Sequence, residues 1–233
     1  MTSAVLCAQI QSALHDRFDV RFSIDRGPAP ETLSTGVPAI DNLTGGGVPR
    51  GRLTELFGAA SSGRTSLSIS ILAQATAAQE YCAVIDATDA FDPVSAVECG
   101  VALERLLWVR CGGNAEHALK ATDLIVQAGG FGLVFMDLAD CTPQTARRIS
   151  LASWFRLRHA VERTRTALVV LERELNAKSC SSLQLEMRRS GTGWSGQGFG
   201  KLLRGVSIEA ENRKHNRARA ACFDLPAVSL GTV

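Results

Sequence analysis

The run Gly58-Ala59-Ala60-Ser61-Ser62-Gly63-Arg64-Thr65 has the length and glycine placement of a loop that wraps phosphates. Such a P-loop works through backbone N–H groups that cradle the anion. A lysine ammonium reaches the terminal phosphates, and a Ser/Thr hydroxyl holds Mg²⁺. Here Thr65 keeps the hydroxyl, but Arg64 stands where the lysine is needed. Arginine is a longer planar fork and no isostere of lysine at a tight phosphate site. The residues that would contact nucleotide are Gly58, Ser61, Ser62, Gly63, Arg64, Thr65 and Ser66. Thr65 and Asp137 would hold the metal if ATP with Mg²⁺ is bound. Two readings stay open. The loop and the helix N-terminus after it favour anions whatever residue 64 is, or the loop is now only a structural turn. Asp137 likewise either positions Mg²⁺ or is the polar end of a buried strand.

The elements around this loop set its context. Leu53 to Phe57 reads as a strand and Thr65 to Gln79 as a helix, the order a P-loop requires. Strands follow at Cys82–Asp86, Leu106–Val109, Leu133–Asp137 and Leu168–Leu171. Helices are expected at Pro93–Cys99, Ala115–Ala128 and, as one long element, Thr142–Arg165. Short apolar strands alternating with helices mean an α/β fold, a mostly parallel central sheet covered on both faces. Leu183 to Met187 alternates like a half-exposed strand, and Ser190 to Gly200 reads as a Gly/Ser-rich loop. Val206–Ala210 and Ala221–Leu225 look like antiparallel strands closing the C-terminal edge. Ala4 to Phe18 reads as an amphipathic helix followed by the linker Gly27-Pro28-Ala29-Pro30. Residues 1–32 are therefore expected to form an arm and linker, and 33–233 the core domain.

Composition narrows the class. The chain has 233 residues, 45% of them hydrophobic, enough for one α/β domain with a buried sheet. A net charge of +2 does not announce nucleic-acid binding through bulk electrostatics. The seven cysteines are scattered with no metal-ligand spacing, and an odd count argues against a disulfide framework. His15, His117, His159 and His215 show no ligand spacing either, so no structural metal is expected. With no signal pattern and no apolar run of bilayer length, a cytoplasmic location and no membrane contact are expected.

Several phrases together resemble the RecA recombinase core. Leu33-Ser34-Thr35-Gly36-Val37-Pro38-Ala39-Ile40-Asp41 is similar to the opening phrase of that family, and Gly45 to Arg52 to its "GGGxPxGR" phrase. The P-loop follows at the family spacing, then Val84 to Pro93. Leu133 to Asp137 resembles the Walker B strand, and Ser181 to Arg189 a later one. The resemblance covers roughly residues 33 to 225 and implies a RecA-like α/β core.

The departures from the family carry the functional expectation. The resemblance places the catalytic glutamate at Thr88, whose hydroxyl cannot activate water near neutral pH, so no catalytic residue is assigned. The resemblance places the adenine beside Asp92, with its stacking tyrosine at Ser95, and Leu138 follows Asp137 in place of a hydroxyl residue. The glutamine coupling nucleotide state to DNA falls near Glu172 or Arg173. Two lysines that reach a neighbouring protomer's nucleotide fall near Glu211-Asn212-Arg213, and the first of these positions is acidic here. Both DNA-binding loops, after Asp137 and after Glu172, look trimmed. A RecA core with these losses resembles the ImuA family, also called SulA-like RecA homologues. These are bacterial accessories of damage-induced mutagenesis that act with the inactive Y-family polymerase homologue ImuB and an error-prone polymerase.

Other features read two ways. Arg148, Arg156 and Arg163 form a basic strip or a solvated helix face opposite Leu151, Trp154, Leu157 and Val161. The run holding Arg213, Lys214, Arg217 and Arg219 binds DNA or a partner, or is a charged hairpin. Trp194 is an interface anchor or folds back onto the core. The expected role is that of an adaptor in translesion synthesis with a degenerate ATP site. Its partners would be an ImuB-like polymerase homologue and an error-prone polymerase, with self, RecA protomers or single-stranded DNA as further ones. The alternatives are an active ATP-dependent recombinase that binds single-stranded DNA, and a regulator that joins RecA filaments.

Overall fold

Both faces of the central strands are apolar, and both are covered. In strand β6 (Leu133–Asp137), Leu133 and Phe135 pack into one core while Val134 and Met136 pack into another. This is what a run without polar alternation requires in a parallel sheet. In the computed structural model, residues 31–196, 200–214 and 219–226 are described. The expected helix Ala4–Phe18, its linker and Arg217 lie outside them, as does the side chain of Arg219.

The chain opens with β1 (Thr32–Leu33), α1 (Pro38–Thr44), β2 (Val48–Pro49) and β3 (Arg52–Gly58). Helix α2 (Arg64–Ala77), β4 (Cys82–Asp86) and α3 (Pro93–Glu98) follow. Next come β5 (Leu106–Arg110), α4 (Ala115–Ala128), β6, α5 (Pro143–Arg147), α6 (Leu151–Glu162) and β7 (Ala167–Glu172). The last strands are β8 (Leu183–Ser195), β9 (Leu202–Asn212) and β10 (Arg219–Pro226). β1 and β2 pair with each other. The main sheet has eight strands in the order β10-β9-β8-β3-β7-β6-β4-β5. Pairing is parallel from β8 through β5 and antiparallel for β8–β9 and β9–β10. The mostly parallel sheet with an antiparallel edge is therefore as the sequence indicated.

Helix α2 covers one face with Leu67, Ile71, Leu72 and Ala75. Helices α4 and α6 cover the other, where Trp154, Leu157 and Val161 are buried at 1% exposure or less. No helix among the described residues is long and apolar enough to cross a membrane.

Three expectations are corrected. The single helix from Thr142 to Arg165 is two. The Thr142 hydroxyl accepts from Thr145 N–H at 3.3 Å and starts α5, and the Ser150 hydroxyl accepts from Ser153 N–H at 3.2 Å and starts α6. A second N-cap inside the run interrupts the ladder. Leu151 is then the first residue of α6 and is half exposed. Arg148 falls in the break, and Arg156 pairs with Asp123 at 3.3 Å, so the arginines make no continuous strip. The Gly/Ser-rich stretch is not a loop as far as Ser195. It continues β8, because pairing with β9 supplies the backbone partners that its weak strand propensity does not predict. Trp194 stands on that extension at 58% exposure rather than on the core.

Candidate functional site

Strand β3 delivers the loop Ala59–Gly63 to the carboxyl ends of the parallel strands, where α/β folds place their ligands. Two glycines are sterically required. A Cβ on Gly58 would lie 2.2 Å from the Met187 carbonyl of β8, and one on Gly63 (φ +89°) would lie 2.9 Å from the Ile208 side chain of β9. Ser61 is held at φ +58°, which is uncommon for a non-glycine residue. Gly63 caps α2 without a side-chain bond, so the first-turn N–H groups stay free for an anion. The Ser62 hydroxyl is buried with no hydrogen-bond partner. The backbone cradle therefore fits a phosphate.

Arg64 does not fit the lysine's task in the same way. Its side chain is buried at 6% exposure, and its guanidinium donates to the Glu172 backbone carbonyl at the end of β7. Burial lowers its pKa, with Asp137 and Asp140 opposing the shift. Beside it lies a cavity of about 320 Å³, lined among others by Ser61, Thr65, Phe91, Asp92, Ser95 and Asp137. Ser66 faces a separate shallow pocket with Ile208. Asp137 ends β6 and accepts from Ala139 N–H at 2.8 Å. Burial above all, then the nearby Asp86 and Asp140, pushes its carboxyl up to about 6. Asp92 is the N-cap of α3, accepting from Val94 and Ser95 N–H and from the Ser95 hydroxyl at 2.5 Å. The structure thus gathers Ser61, Arg64, Thr65, Asp92 and Asp137 around one cavity at the carboxyl end of the sheet, while Gly58, Ser62, Gly63 and Ser66 line neighbouring pockets. Thr88 presents a buried hydroxyl with no hydrogen-bond partner where the family glutamate is expected.

Two carboxylates that sequence reasoning gave no role organise the site. Asp86, fully buried at the end of β4, accepts from the N–H groups of Thr88, Ala90 and Phe91 at 2.9–3.2 Å and from Trp108 Nε1 at 3.2 Å. It shapes the turn that forms the cavity wall. Phe91 and Trp108 stack edge to face at 5.6 Å. Glu55, fully buried on central β3, accepts from Asn176 N–H at 3.0 Å, Ala177 N–H at 2.6 Å and the Ser181 hydroxyl. It ties the connection after Glu172 to the sheet. The signal for both was a lone acid within or ending an otherwise apolar strand.

Glu172 is the third buried acid. One oxygen accepts from Asn176 N–H at 3.2 Å, and the other has no partner. Burial, reinforced by the charge of Glu55, pushes its carboxyl up to about 8. Arg173 donates to the Ala139 carbonyl at 2.9 Å, bridging the two connections that carry DNA loops in the family resemblance. Only residues 138–142 separate β6 from α5, and 173–182 separate β7 from β8. Of the basic candidates, Arg213 is paired with Glu186 at 2.5 Å and Glu211 at 3.0 Å. Lys214 Nζ lies 3.4 Å from the Lys178 carbonyl.

Strand, glycine-rich turn and helix, on a parallel sheet with antiparallel strands at one edge, define a RecA-like α/β protein. Residues 20–151, more than half of the chain, match the RecA N-terminal domain, and the chain belongs to that family. It is 34% identical over 158 residues to Protein RecA of Chloroflexus aurantiacus, covering 61% of this chain and 45% of that protein. It is 43% identical over 116 residues to Protein RecA of Deinococcus radiodurans, covering 49% of this chain and 32% of that protein. The chain thus spans less than half the length of these relatives.

Proposed function

We propose that this protein is an ImuA-like accessory of DNA repair and damage-induced mutagenesis, a partner-binding adaptor in translesion synthesis whose ATP site is degenerate. The observation that carries the reading is the placement of Arg64. Its guanidinium is buried and spent on a backbone carbonyl, while the loop around it keeps the form of a phosphate cradle. The hydroxyl of Thr88 offers no base at the position where the family resemblance requires a carboxylate. If ATP is held, Gly58, Ser61, Ser62, Gly63, Thr65 and Ser66 would surround its phosphates, and Thr65 with Asp137 would take Mg²⁺. Bound Mg²⁺·ATP would supply a phosphoanhydride open to hydrolysis. This chain's own residues then contribute binding rather than proton abstraction. The short connections after β6 and β7 fit a core that does not thread a DNA strand.

The test is steady-state ATP turnover by the full chain, with and without oligothymidine. Turnover is expected at least a hundredfold below the common enzyme range of about 1–10³ s⁻¹. DNA-stimulated hydrolysis inside that range, with filaments under electron microscopy, would establish the recombinase alternative.

A further inference from the structure

Among the described residues, β9 pairs with β10 as far as Gly205 opposite Pro226, and beyond that point Trp194–Ser195 pair with Leu202–Leu203 as a two-stranded ribbon. A register shift at Gly193/Trp194 places a bulge at the base of the ribbon, and bulges bend and twist a strand pair. On the ribbon Trp194 (58% exposed) lies directly opposite Leu203 (40%) on one face, while Leu202 (69%) takes the other. The indole N–H reaches the Thr192 hydroxyl at 3.2 Å, which holds the ring on the ribbon face. Arg189, Lys201 and Arg204 are exposed on the same hairpin, and none has an acidic partner among the described residues. The sequence contains no Asp or Glu between Glu186 and Glu209.

We propose that this ribbon is a docking surface for an acidic, apolar segment of a partner protein, with Trp194 and Leu203 as the anchor and Arg189, Lys201 and Arg204 as the basic rim. The proposal deepens the adaptor reading, on which it rests, by giving the chemistry of the partner. An exposed Trp with a cross-strand leucine inside a cationic border has the layout of an interface anchor and its rim. The charge selects the occupant. The chain's own N-terminal residues are balanced, Asp16, Asp19 and Asp25 against Arg17, Arg21 and Arg26, and residues 227–233 carry no charged side chain. A second ribbon would repel the first. Single-stranded nucleic acid is gripped by stacking successive bases on several aromatic rings, whereas Trp194 is the one aromatic among the ribbon's described residues.

Selection of a displayed random-peptide library on the full chain tests this. Enriched peptides are expected to combine Asp/Glu with Leu, Phe or Trp. Their affinity should fall about tenfold or more with Trp194→Ala, and separately with Lys201→Glu/Arg204→Glu. Replacing the peptide acids by lysine should recover binding to the charge-reversed protein. No enrichment, enrichment without acids, or peptides that bind both variants as they bind the parent would overturn the proposal. Oligothymidine binding lost in the same variants would overturn it in favour of nucleic acid. Robust ATP turnover by the same protein would sink the adaptor reading while leaving a positive peptide result standing.

Discussion

Replacing Asp86 with alanine will destabilise the protein by about 3–5 kcal/mol, enough to remove much of the stability of an ordinary domain. The carboxylate is fully buried and saturated by three backbone N–H groups and the Trp108 indole. Alanine leaves all four donors without their acceptor in a partly buried turn, and each donor left unsatisfied costs about 1–3 kcal/mol before relaxation. The turn from Thr88 to Asp92 then loses its organiser, and with it the wall of the cavity beside Arg64. Urea unfolding followed by near-ultraviolet circular dichroism measures the loss. Asp86→Asn should cost less, because its amide oxygen still accepts. A cost below about 1 kcal/mol for alanine would show that the turn is held by other contacts.

Glu172→Gln will make the protein more stable at alkaline pH, by about 1–3 kcal/mol, and leave it nearly unchanged at pH 4. The folded-state pKa of Glu172 is raised from its ordinary value to about 8, chiefly by burial. Folding therefore takes up a proton. The contribution is fully present below the unfolded pKa of about 4.3, is lost as pH rises toward 8, and stays lost above it. Asp137, raised to about 6, adds a loss of the same sign in both proteins, so the difference between parent and variant isolates Glu172. Gln keeps the size of the side chain and never ionises beside Glu55. Urea midpoints at pH 4, 7 and 9 give the comparison. A variant that tracks the parent at all three values would show that Glu172 titrates normally.

The parallel core was legible because its strands announce themselves. Cys82–Asp86, Leu133–Asp137 and the helix Ala115–Ala128 have the bounds their apolar runs indicated. Each is closed by a turn signal or a cap, such as Asn114 accepting from Glu116 and His117 N–H. The break at Ser150 was hidden because one hydroxyl decided it against an unbroken helical period. The β8–β9 extension was hidden because its stability comes from a partner strand distant in sequence. The loop residues were legible as a motif, yet the direction of Arg64 was not. That side chain reports the carbonyl it meets at the end of β7, a tertiary contact across 108 positions. Glu55 and Asp86 escaped notice because sequence reading expects acids at surfaces, and their worth lies in donors folded around them.

The seat of Ile208 on Gly63 decides how this protein can be cut. Any truncation that stops after β8 strips β9 away and uncovers the start of α2, along with Leu185 and Met187 on the inner face of β8. A minimal fragment for crystallisation or for grafting the loop elsewhere must therefore run at least through Asn212.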